Sequence, residues 1–339
     1  MIVTYLIGNG FDISCGLKTS YADFIQAYLK TDSTDGDIID FKSKIEKNLT
    51  TWADAELAFG AITENIQNVP KLKKCFRDFH KQLCTYLKEE QSKMNYASFK
   101  RSEALQFISG IKNFQSFLPE KSKYEVGSCL ECTDMSKIKY NFLVYNYTDV
   151  FETLLKKSIS IRNSNFGLTS TDGDCYLHSL NSIEYVHGSL KNPPLIFGVN
   201  DTDQIKYIPH RSTTTINQML VKPIGNKETH SLSFERCKKA IRESDIICTY
   251  GMSIGETDSL WWNEILALLF ENKKFNLIIH QWNPACEENL SLDIFSTTTD
   301  CRNKFVVNAK SQINTKRSLT DRIHVAINKD PFNIKMNLS

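Results

Sequence analysis

The chain has 339 residues, enough for one large domain or two small ones around a substantial core. Apolar residues make up 41% and charged residues 24%, the composition of a folded globular protein rather than a disordered one. A formal charge of +2 gives no field strong enough to favour nucleic acid or an anionic membrane.

The opening run Met1–Ile7 is too short for a signal peptide and lacks a basic leader, and no stretch approaches the roughly 18 apolar residues needed to span a bilayer. A cytoplasmic location with no membrane partner is expected. The ten cysteines then read as reduced thiols. Cys129 and Cys132 have metal-ligand spacing, but a second pair is missing, so no metal is expected.

Residues 2–7 are β-branched and aromatic and run directly into Gly8-Asn9-Gly10, which predicts a buried strand ending in a tight turn. Thr19 or Ser20 offers an N-cap for a helix through Tyr21, Phe24, Ile25 and Tyr28. From about 38 to 118 apolar residues recur every three or four positions, as in Leu72, Phe76, Phe79, Leu83 and Leu87, which predicts several amphipathic helices. Residues 119–137 read as a loop. A strand over 140–145 and a helix from about 148 to 157 follow, and 159–181 reads as irregular. Short strands are predicted at 183–186 and 195–197. A helix over 232–243 leads into a strand at 245–250, and a helix over 258–271 leads into a strand at 275–280. Two β-like runs, 304–307 and 322–327, close the chain as sheet edges.

Strands alternating with helices predict an α/β fold with a Rossmann-like, mainly parallel sheet. Its nucleotide-binding domain is expected to comprise 1–35 plus 138–339, with 36–137 as a large helical insertion.

Five segments fall at the carboxyl ends of the predicted strands, where such folds bind ligands. Gly8-Asn9-Gly10-Phe11-Asp12 fits a phosphate turn, although Ile13 occupies the third glycine position of the full dinucleotide fingerprint. Asn146-Tyr147-Thr148-Asp149 follows a hydrophobic strand; capping explains Thr148 or Asp149 but not Asn146. His187-Gly188 presents an imidazole suited to general base chemistry near neutral pH. Gly251 to Asp258 is a second glycine-containing turn, with Thr257 or Asp258 as a helix cap. Asn283 follows the strand at 275–280.

The run Leu6-Ile7-Gly8-Asn9-Gly10-Phe11-Asp12, followed by Gly16 to Tyr21 and Asp23-Phe24, resembles the opening of the AbiH family of phage abortive-infection proteins. Asn146 to Asp149 with Glu152, His187-Gly188, and Tyr250 to Asp258 extend the resemblance to about residue 285. Beneath it, the layout is similar to the sirtuin-like NAD-binding fold, whose glycine turn, Asn, His-Gly pair, glycine-serine turn and late Asn correspond to Gly8 and Gly10, Asn146, His187, Gly251 with Ser253, and Asn283. The single Cys-x-x-Cys pair and the Phe11-Asp12 after the glycines depart from sirtuins, and the former argues against deacylation.

The resemblance implies an antiphage effector that binds NAD and hydrolyses its nicotinamide–ribose bond. In that reading His187 and Asn146 are catalytic: His187 takes a proton from a ribose hydroxyl or water, and Asn146 holds that group near the anomeric carbon. Gly8, Asn9, Gly10, Phe11, Asp12, Asp149, Gly251, Ser253, Asp258 and Asn283 form the nucleotide site. It also implies a phage-derived trigger or a defence-system partner, and leaves room for a homo-oligomer. Two other functions stay open: a nucleotide-binding sensor or scaffold without catalysis, and an effector that targets nucleic acid through Lys71, Lys73, Lys74 and Arg77.

Overall fold

The computed structural model describes residues 1–131, 137–162, 166–171, 174–309, 317–334, 336 and 338. Seven strands form one sheet: β1 (Ile2–Ile7), β2 (Lys137–Val144), β3 (Gly167–Thr171), β4 (Asp174–Tyr185), β5 (Ile246–Tyr250), β6 (Asn276–Gln281) and β7 (Ile323–Ile327), in the order β3-β4-β2-β1-β5-β6-β7. All neighbouring pairs run parallel except β3 with β4. Leaving out β3, the six parallel strands follow the 3-2-1-4-5-6 Rossmann order. The chain reverses its direction of sheet growth beside β1, so a crevice opens there at the strands' carboxyl ends.

Helices cover both faces of the sheet, which is why β1 is apolar without alternation. Val3, Tyr5 and Ile7 point into a core shared with Phe107, Phe151 and Phe332, while Leu6 packs with Ile247, Trp261 and Leu277 on the opposite face. A third core joins the helices between 21 and 92 to the segment 195–221, through Phe41, Phe59, Phe79, Phe197 and Leu220. The α/β class and the central strands follow the sequence reading.

Four local expectations are corrected. Much of 119–137 is helix, Glu120–Glu131, with Pro119 just ahead of the first turn and Val126 buried. The stretch 159–181 includes the end of helix Val150–Arg162, β3 and much of β4; the Ser and Thr content of β3 suits a strand at the sheet edge. Residues 195–197 form no strand, and Leu195 and Phe197 instead enter the helical core. The run 304–307 lies within helix Ser291–Asn308, with Phe305 buried and Val307 exposed. Four apolar-rich residues cannot distinguish strand from helix by periodicity. The Cys129–Cys132 pair lies outside the described residues, since the Cys129 side chain and the whole of Cys132 are not described.

Candidate functional site

The turns after β1 and β5 pack directly on each other. Gly8 N–H donates to Tyr250 O at 2.8 Å, and Gly10 N–H donates to Gly251 O at 3.0 Å. A Cβ on Gly8 would lie 2.4 Å from Gly251 O, and one on Gly10 would lie 2.5 Å from Gly251 Cα. Gly251 itself has φ +67°, where an L side chain is strained. The glycines are therefore required for turn-on-turn contact. Phe11 N–H also donates internally, to Gly8 O at 3.0 Å, so of the amides of Gly8, Asn9 and Gly10 expected to face a pyrophosphate, those of Gly8 and Gly10 are engaged within the protein.

Asp12 follows on the short helix Gly10–Ser14 and is 1% exposed. Asn146 Nδ2 donates to its Oδ1 at 2.9 Å, and Thr148 Oγ1 donates to its Oδ2 at 2.5 Å. Burial pushes its carboxyl up to about 6, against the opposing pull of these two hydrogen bonds. Asn146 thus joins the end of β2 to the β1 turn, which answers why an amide is needed there. Its Oδ1 is buried without a hydrogen-bond partner among the described residues.

A second cluster centres on Lys222, at the start of helix Lys222–Thr229. Its ammonium reaches Glu56 Oε2 at 2.7 Å and Asp258 Oδ1 at 2.8 Å. Asp258 Oδ1 also takes His187 Nε2 at 3.0 Å, and Asn226 Nδ2 lies 3.1 Å from His187 Nδ1. Tyr21 OH donates to Glu56 Oε1 at 3.0 Å. Burial lowers the imidazole's affinity for protons, and nearby Lys222 lowers it further, so His187 is neutral. In that state Nε2–H donates to Asp258 and Nδ1 accepts from Asn226. Both ring nitrogens are occupied.

The two carboxylates beside Lys222 divide unequally. Burial would raise Asp258, but Lys222 and His187 hold it well below the usual carboxylate range. Burial raises Glu56, and the neighbouring charge of Asp258 adds to this against the pull of Lys222. For Lys222, burial alone would lower the ammonium's pKa, but the two carboxylates raise it overall.

Asp12, Asn146, Glu56, Lys222, His187 and Asp258 line one cavity of about 1120 Å³ at the carboxyl ends of the strands. Of the sequence-predicted residues, Gly8, Asn9, Gly10, Asp12, Asn146, His187, Gly251, Ser253 and Asp258 reach it. Three do not. The Phe11 ring is fully buried against Phe151 and Phe332, with centroids 5.1 and 5.4 Å away. Asp149 precedes helix Val150–Arg162 and its N–H donates to Gln91 Oε1. Asn283 exchanges hydrogen bonds with Asn328, and its Nδ2 donates to Thr297.

Glu56, Lys222, His280 and Trp282 also line the cavity and were not singled out from the sequence. Glu56 sits in an ordinary helix and Lys222 in a stretch with no motif, so only the tertiary fold brings them together. On the helical region, Lys71 pairs with Asp37 and Asp40, and Lys74 with Asp35 and Asp37. Two of the four basic residues of that run, Lys71 and Lys74, are thus paired with carboxylates, which weakens it as a phosphate-binding face.

Sheet order and cavity together define a Rossmann-like α/β protein with a ligand-sized cleft at its topological switch point. The profile of the family described as bacteriophage abortive infection AbiH matches residues 4–280. The chain belongs to that family, and a role in phage abortive infection comes with it. No curated protein matches the sequence.

Proposed function

We propose that this cavity binds NAD or a closely related nucleotide and hydrolyses its nicotinamide–ribose bond, with Asp12 at the reacting centre. The single observation that carries this reading is the Asp12 carboxylate: buried, fixed by Asn146 and Thr148, and shifted to about 6 at the floor of a switch-point cavity. Pockets for drug-sized ligands span roughly 300–1,000 Å³, so about 1120 Å³ accommodates a dinucleotide.

The chemistry asks little of a general acid, because the pyridinium is already a good leaving group. It asks for stabilisation of an oxocarbenium-like ribose and for a water poised to attack. A carboxylate ionised at neutral pH supplies both, through its charge and by accepting the water's proton. The unpartnered Oδ1 of Asn146 is suited to accept a hydrogen bond from that water or a ribose hydroxyl. His187, with both nitrogens occupied, is better suited to hold Asp258 and Lys222 in place than to act as the base.

Nicotinamide release from NAD, followed by chromatography with and without extract of phage-infected cells, tests the assignment. Asp12→Asn is expected to lose on the order of 100- to 10,000-fold in turnover, and Asn146→Ala to lose a substantial part. His187→Phe should act mainly through stability. Undiminished turnover in Asp12→Asn contradicts the mechanism; nucleotide binding without cleavage in either condition favours the sensor reading.

A further inference from the structure

We propose that the β6–β7 end of the cavity is a purine subsite, where the indole of Trp282 stacks on the base, His280 hydrogen-bonds its edge, and Lys304 and Lys329 meet the adjoining phosphates. This rests on the reading of the cavity as a nucleotide site and deepens it. Trp282 lines the cavity yet is 70% exposed, while Trp52, Trp261 and Trp262 are buried. A large apolar ring left in solvent at a cavity mouth is a ready stacking platform, and stacking tolerates any base but favours the larger one.

His280, two residues earlier on β6, is the independent observation. It is 6% exposed and lines the cavity, yet neither ring nitrogen has a hydrogen-bond partner among the described residues. The Lys329 backbone influences the ring without reaching hydrogen-bond geometry. Burial holds the imidazole neutral, down to about 4, so it offers one N–H donor and one bare nitrogen acceptor. The two point away from each other, so the edge of a purine, which carries both donors and acceptors, meets one of them. Polar groups are not left bare in protein interiors without cost, and a bound base removes part of that cost here.

The placement fits the proposed chemistry. Asp12 and Asn146 belong to the β1 and β2 ends, and His280 to the end of β6, two strand intervals from β1 and three from β2. At about 4.8 Å per interval this is roughly 10–14 Å, within the reach of an extended dinucleotide. Lys304 and Lys329 also line the cavity, with Lys329 further anchored to Glu288. Asn283 is withdrawn from the cavity by Asn328 and Thr297, so it does not fill this role.

The test titrates 5′-AMP, ADP-ribose and 5′-UMP into the full chain, read by calorimetry and tryptophan emission. AMP and ADP-ribose should quench the emission of Trp282 and bind more tightly than UMP. Trp282→Phe should lose the quenching and keep the affinity, while Trp282→Ala should weaken AMP by about 10-fold or more. His280→Phe should weaken AMP without removing the quenching; if it fails to fold, the surface Trp282 variants still decide. Unchanged AMP affinity in Trp282→Ala overturns the subsite while leaving the nucleotide reading intact. Equal binding of UMP overturns the purine preference. Failure of all three ligands and of NAD to bind removes both readings.

Discussion

Asp12 is held in a state that works against the stability of the chain. Its native carboxyl is shifted up to about 6 from 3.8, so the folded protein binds the proton more tightly than the unfolded chain does. Below pH 3.8 both forms are protonated and nothing is lost. As pH rises towards 6 the native state forfeits stability, and beyond that the loss is constant at about 3 kcal/mol. Asp12→Asn should therefore raise the unfolding midpoint at pH 7.5 and change it little at pH 3.5, as thermal denaturation at the two pH values will show. The same shift sets the activity profile. A base must be ionised, so kcat/KM for NAD should rise with pH through about 6 and level off above. Thr148→Val removes a hydrogen bond to the carboxylate and should move that rise to higher pH.

Among the elements, the turns after β1 and β5 depend on each other. A methyl on Gly8 or Gly10 meets Gly251 backbone at 2.4 or 2.5 Å, and backbone cannot retreat as a flexible side chain can. Gly8→Ala should cost on the order of 2 kcal/mol or more in urea denaturation. The Lys222 cluster ties a helix of the 36–137 region, the helix Lys222–Thr229 and the turn after β5. Lys222→Met leaves the buried Glu56 and the partly exposed Asp258 without their cation and should destabilise by roughly 3 kcal/mol; adding Glu56→Gln should recover part of this.

These elements also show what the sequence makes legible. Glycine at 8, 10 and 251 and polar residues after β2 and β4 mark the carboxyl ends of strands, and strand-to-turn junctions are local features. Asn146 stood out because capping did not explain it. Glu56 and Lys222 carried no mark, since a buried ion pair between residues 166 positions apart is a property of packing alone. Asn283 resembles a ligand residue in sequence because strand-end position does not reveal a side chain tied to Thr297 and a backbone tied to Asn328. The β3–β4 hairpin is hard to read in the sequence because the edge strand β3 carries the polar composition that otherwise signals a loop.

At the scale of the whole molecule, the helical region completes the cleft. Tyr21, Thr50, Asp54 and Glu56 line it from one side, and His280, Trp282 and Lys329 from the strands beyond β5. A ligand bridging both sides should stabilise the whole chain by mass action, about 2.7 kcal/mol at 100 times its Kd. The most direct test of the account is a crystal structure of the Asp12→Asn variant grown with NAD. The account predicts intact NAD, its ribose anomeric carbon beside the residue 12 side chain and its adenine against Trp282. Nucleotide bound away from residue 12, or a cleft that excludes it, contradicts the account.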